Sequence, residues 1–335
     1  MPDFLAGLRY DALTPLLTGS DSAVAYFTRR DLLEQPVESL ESIWTLPAVQ
    51  RILKRQQSDG SWLFPGRGHD NRLVETFKQL RFLVDQYAMD RSQPAVEQAC
   101  EFILAFQTDQ GDIRGIMQNQ MTAYYTGAIL ALLIKSGYQS DRRILKALDW
   151  LLQVRQDDGG WVELPGMLGL KISAAEWNLM VRDRGIPTAR AYAFSRPFSI
   201  NATGMVLRAF CLHPRFQDKP EIHRAAALLK GAFFKPNNYS TYAHPDNWLR
   251  FQFPFWWNNL LSAMDSLSRL KPARLDDKLY PALAWFADHQ EADGLWRISY
   301  SGIHKSSPNS RSAAQQLWIS LAVCRMLKAF SRWQD

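Results

Sequence analysis

The chain has 335 residues, 47% of them hydrophobic, 12% aromatic and 21% charged. That much apolar material with so little charge excludes a disordered chain, and the length calls for two domains or a repeat-built body. The 39 basic and 33 acidic side chains leave a net charge of +6 but are interleaved without a basic block, so nothing points to nucleic acid.

Three cysteines, Cys100, Cys211 and Cys324, are odd in number and far apart, which fits a reducing compartment rather than a disulfide framework. The opening, MPDFLAGLRYDALTPLLTGS, lacks the charged start and continuous apolar core of a signal peptide. The longest apolar run, Gly127 to Ile134, has the length of a core helix and not of a membrane span. The expectation is a cytoplasmic protein, with peripheral membrane contact left open.

In chain order, the first recognisable element is an amphipathic stretch, PAVQRILKRQQSDGSW, ending at Trp62. A segment over 70–87, read as the buried partner helix, follows, then a second amphipathic stretch over 94–106 that closes in QTDQGDIRG at Gly115. Next comes MTAYYTGAILALLI, 121–134, apolar or small nearly all round, which reads as a helix buried on every side. The third amphipathic stretch, LKALDWLLQVRQDDGGW, ends at Trp161; Ile144, Ala147, Leu148, Leu151 and Leu152 form one stripe, with Arg142, Arg143, Lys146 and Asp149 off it. Residues 163–197 show no clear period and form an insertion, read as a lid or lip over a cavity. Beyond it 199–212 pairs with 221–234, and 255–270 pairs with 279–289, which closes in HQEADGLW at Trp296. A last buried helix is expected over 313–330.

The glycines of the four closing turns, Gly60, Gly111, Gly159 and Gly294, are spaced by 51, 48 and 135 residues. With one degenerate copy at 225–234 and the insertion counted, the period stays near 50 residues. Alternating buried and half-buried helices at that period make stacked helical hairpins. Full burial of one layer predicts that the array curls onto itself, giving an all-α, α/α toroid of five to six hairpins in a single domain with inner and outer rings. In each turn the Gln serves to bond helix-end carbonyls and the Gly to permit a left-handed backbone. Asp59, Asp157 and Asp158 therefore read as turn residues.

These Gln–Gly–Trp turns resemble the QW motifs of the terpenoid cyclase and protein prenyltransferase superfamily, to which squalene–hopene cyclases belong. The resemblance runs from about Ser20 to Phe330. Several stretches are similar to those of bacterial and archaeal prenyltransferase–squalene-oxidase repeat proteins: SDSAVAYFTRRDLL, GDIRGIMQNQMTAYYTGAILALLIKSGY, RPFSINATGMVLRAFCLHPRF, FQFPFWWNNLLSAMDSLSRL and LWISLAVCRMLKAF. It implies the toroid, and a hydrophobic small molecule or an isoprenoid (with or without a diphosphate) as the partner.

The reagents of the superfamily's known reactions can be looked for directly. The Asp-x-Asp-Asp acid of class II cyclases does not occur; the nearest string, with Asp276 and Asp277, opens an outer helix, where aspartates cap. Class I magnesium clusters have no counterpart. The zinc site of prenyltransferases could draw only on Cys211, His213 and a distant His244, and two positions apart on a helix point about 200° apart. No cofactor and no metal are expected. Where the superfamily's toroid would open a pocket, the catalytic candidates are Glu75, Tyr124, Tyr125 and Asp246. The substrate-binding candidates are Asn201, Trp248, Arg250, Phe253, Phe255, Trp256, Trp257 and Asn259. The resemblance implies an aspartate where Asn259 stands.

Each candidate has a plainer reading. Glu75 can pair with Lys78, three residues on. The aromatic rings can fill a core, and the arginines Arg114, Arg182, Arg184, Arg190 and Arg250 can be surface residues before they are diphosphate ligands. Three functions follow: an isoprenoid cyclase or prenyl-transfer enzyme, a non-catalytic lipid-binding protein, and an interaction scaffold with a plugged centre. Whether the chain catalyses at all stays open at this level, as does its oligomeric state.

Overall fold

Thirteen α-helices and no β-strand occur among the described residues of this computed structural model, which are 3–64, 71–116, 121–162, 195–239, 242–270, 277–303 and 310–331. The chain divides into two compact units: residues 40–228 with 237–243, and residues 1–39, 229–236 and 244–335. The 163–197 insertion lies outside the described residues up to position 194, as do Asp276 and the arginines at 182, 184 and 190.

In the larger unit the expected hairpins are present. It holds α3 (Glu41–Trp44), α4 (Pro47–Leu53), α5 (Arg72–Arg81), α6 (Pro94–Leu104), α7 (Ala123–Leu133), α8 (Arg142–Gln153), α9 (Ile200–Leu212) and most of α10 (Pro220–Gly231). Prolines at the first turn start α4 and α6, and the side chains of Thr122, Asp141 and Ser199 cap α7, α8 and α9. α7 buries nine of its eleven residues, whereas α8 buries one stripe, Ile144, Ala147, Leu148, Trp150 and Leu151. α7 and α9 approach closely at Gly127, where a Cβ would stand 2.7 Å from Val206 Cα. Both α5 and α7 run on into one π-helical turn, Phe82–Gln86 and Ile134–Tyr138, and a left-handed residue, Ala88 and Gly137, accompanies each.

The smaller unit holds α1 (Leu13–Thr18), α2 (Ser22–Phe27), α11 (Leu260–Leu267), α12 (Tyr280–Asp288) and α13 (Ser310–Ser331). α2 repeats the same ending, a π-turn over Thr28–Leu32 with Glu34 at φ 54°. The 255–270 segment becomes helical only at Leu260. Asn259 and Ser262 form a reciprocal capping box there, so the aromatic residues before it lie outside the helix. α13 packs against α1, α2 and α11, and Arg325 and Lys328 tie it to Asp31 and Glu34.

The turns behave as their residues require. Gly60, Gly111, Gly159 and Gly294 all sit at φ between 83° and 115°. The Gln56 side chain donates to the Gly60 carbonyl at 3.0 Å and to Ala95 O of α6 at 2.7 Å; Gln107 does the same to Gly111 O and to Arg143 O of α8, at 2.9 and 2.8 Å. Gln290 donates to Gly294 O and Tyr10 O, each at 3.0 Å, and its oxygen accepts from the Tyr10 N–H. The indole N–H groups of Trp62, Trp161 and Trp296 each donate to a carbonyl ten residues back on their own outer helix, at 2.7–2.8 Å. Their main-chain N–H groups donate to Thr76, Thr203 and Ser320 on the following inner helix, as Ile113 does to Thr126. Besides the Gln side chain, a buried hydroxyl that the sequence motif does not include thus ties each turn to the following helix.

One copy departs from the alignment. Gln156 stands three residues before Gly159, whereas the other three glutamines stand four before theirs, and Arg155 takes the fourth place. Here the link reverses: Arg224 of α10 reaches back and donates to the carbonyls of Asp157 and Asp158, at 2.8 Å each. In the degenerate copy Phe234 adopts φ 62° without a glycine.

Candidate functional site

The aromatic run of the smaller unit is built on α13 and the α11 cap. Gln315 of α13 brackets the Phe253 backbone, accepting from its N–H at 3.1 Å and donating to its carbonyl at 2.7 Å. The Phe253 ring stacks on Trp318, centroids 5.7 Å apart and planes 6° apart, and meets the edge of Phe255 at 5.3 Å. Trp318 is itself fixed by an indole bond to Asp21, the α2 cap, at 2.8 Å. Phe253 and Phe255 are buried, so these two candidates pack a core; Trp256 and Trp257 stay half-buried.

Arg250 and Asn259 serve this run rather than standing apart from it. The Arg250 guanidinium lies 5.3 Å from the Trp257 ring centroid, while the Arg250 carbonyl accepts from the Trp257 indole at 3.2 Å and from Asn259 Nδ2 at 2.9 Å. With its other polar atoms committed to Ser262, Asn259 is a helix cap. Trp248 donates to Lys235 O at 3.0 Å and is buried against Phe233.

Asp246 is a hydrogen-bonded anion. Its Oδ2 accepts from Gly302 N at 2.9 Å and Ser301 Oγ at 3.1 Å, and His244 lies 3.5 Å from Oδ1. Partial desolvation raises its pKa, but these donors and the imidazole outweigh it and hold the carboxyl below the usual range. A proton-donating acid needs the opposite shift.

In the larger unit Glu75 is buried on α5. Gln79 donates to one carboxylate oxygen, and Lys78 lies 3.7 Å from the other. The paired reading of Glu75 is the one the geometry displays. Tyr124 and Tyr125 meet edge to face at 4.8 Å on the first turn of α7, and burial, with Tyr242 adding to it, raises the Tyr125 pKa. Asn201 is buried in the first turn of α9.

Two further charged residues lie outside the candidate set: Arg81, buried at the end of α5, and Arg208, half-buried on α9, where it is the one charged side chain. Burial pulls the Arg81 pKa down to about 10, with the Arg208 charge adding to the fall and Asp85 opposing it. For Arg208 the legible signal is a lone charge in the helix INATGMVLRAFCL; Arg81, among the charged residues of RLVETFKQLR, has no such signal. Arg114 is engaged elsewhere, in a buried ion pair with Asp112 at 2.7 Å.

His213 caps α9, its Nε2 2.9 Å from Gln139 O and its Nδ1 accepting from Arg215 N, and Cys211 is buried. Among the described residues no three His, Cys, Asp or Glu side chains converge as metal ligands, and no helix is long and apolar enough to cross a membrane.

Over 127 residues the chain is 28% identical to the squalene–hopene cyclase of Zymomonas mobilis, a match covering 35% of this chain and 19% of that relative's length. The chain is similar to the terpenoid cyclases. No family model matches it. Among solved structures, a protein from Actinoplanes is similar at 15% identity, covering 84% of this chain and 97% of that one, with a TM-score of 0.32. The type II terpene cyclase MstE from Scytonema is similar at 14% identity in its apo form, covering 85% and 97%, with a TM-score of 0.32. A variant of MstE solved with geranylgeranyl dihydroxybenzoate gives 14%, 85%, 96% and 0.32. Among the described residues the chain is helical without a β-strand, its hairpins joined by Gln–Gly turns of which three of the four carry Trp.

Proposed function

We propose that this chain holds an isoprenoid or another hydrophobic small molecule in an apolar cavity of an α/α toroid. The observation that carries the reading is the aromatic run ending in the half-buried Trp256–Trp257 pair. Gln315 holds the Phe253 backbone, Asn259 holds the Arg250 carbonyl to which the Trp257 indole also donates, and Trp256 and Trp257 stay half-buried. Rings held rigidly at a partly open face offer a polyprenyl chain apolar contact at little entropic cost. Titrating farnesol against the intrinsic Trp fluorescence of the full chain tests it. Saturable binding, weakened tenfold or more by Trp256→Ala or Trp257→Ala, supports the reading. No saturable response overturns it.

The second reading is an isoprenoid cyclase, favoured by the 127-residue similarity to a squalene–hopene cyclase. It needs a carboxylic acid kept protonated, and Asp246 is held anionic. Glu75 is then the acid to test. Incubation with squalene or farnesyl diphosphate, followed by product extraction, decides it: a cyclised product lost in Glu75→Gln but kept in Asp246→Asn supports catalysis, and no product from either substrate leaves binding as the activity.

A further inference from the structure

We draw no further inference here: the strongest candidate, the side-chain cluster of Asn237 and Tyr239 that fastens the chain just before α9 in the larger unit through Ser199, Ile200 and the Pro197 carbonyl, carries nothing, because the stretch it would anchor over a cavity, 163–194, lies outside the described residues.

Discussion

Glycine shows most sharply how residue identity sets the turns. A Cβ on Gly294 would lie 2.0 Å from Asp11 O, and the backbone there is left-handed. Gly231, at the end of α10, has nothing within 4 Å of its would-be Cβ and an ordinary φ. One substitution should therefore have opposite signs. Gly294→Ala is expected to cost at least ~1–3 kcal/mol in urea unfolding, and Gly231→Ala to be neutral or stabilising by up to ~1 kcal/mol. Carboxylates give a second prediction at this scale. Arg143 bonds Glu101 and Asp141 at 2.7 Å each, and hydrogen bonding to Arg143 is the leading cause that lowers both pKa values. For an acid depressed in the folded state, the stabilisation is present above its ordinary pKa and is lost as pH falls through the folded one. Acid titration of stability should accordingly show the wild type losing ground as pH drops below the ordinary values of 4.5 and 3.8, and Arg143→Ala losing less over the same window.

Elements were legible where one periodicity governed them. The buried α7, the one-sided α8 and the left-handed turns follow from apolar spacing and glycine position. The third turn did not, because Gln156 lies one place off and the capping donor, Arg224, comes from a helix more than sixty residues away in sequence. Nor did the buried hydroxyls of Thr76, Thr126, Thr203 and Ser320, whose partners are main-chain groups that leave no trace in side-chain type. Removing one leaves a buried N–H without its acceptor, so Thr203→Val is expected to cost ~1–3 kcal/mol although it keeps the volume. The site candidates divide likewise. Aromatic composition marked the run at 253–257, but only the structure separates Phe253 and Phe255, which pack, from Trp256 and Trp257, which stay partly open. Asp246 and Asn259 looked like reagents because their roles as a loop acceptor and a helix cap depend on contacts remote in sequence or on backbone geometry.

In the smaller unit the fourth turn clasps the start of the described chain, much as the first two turns clasp the next outer helix. Gln290 brackets Tyr10, Gly294 presses on Asp11, and Arg9 pairs with Asp288 at 2.7 Å. Within this unit the segment before α1 takes, at the fourth turn, the place that the next outer helix takes at the first two turns. Deleting residues 1–12 should strip the buried Gln290 of both Tyr10 partners and expose the site of the fully buried Leu5. A fall in Tm of several degrees, with association through the bared end, is the expected outcome. An unchanged Tm would show that the clasp contributes nothing.

If the terpenoid cyclase-like chain carries a hydrophobic small molecule inside its helices, that molecule should travel with the protein. Native mass spectrometry of freshly purified protein, followed by organic extraction of whatever is released, is the decisive experiment. An isoprenoid or comparable lipid at near one per chain, or its uptake on adding farnesol, is the predicted result. A chain that flies empty and takes up neither farnesol, squalene nor farnesyl diphosphate would contradict it, and would leave the outer surface of the hairpins as the place to look for function.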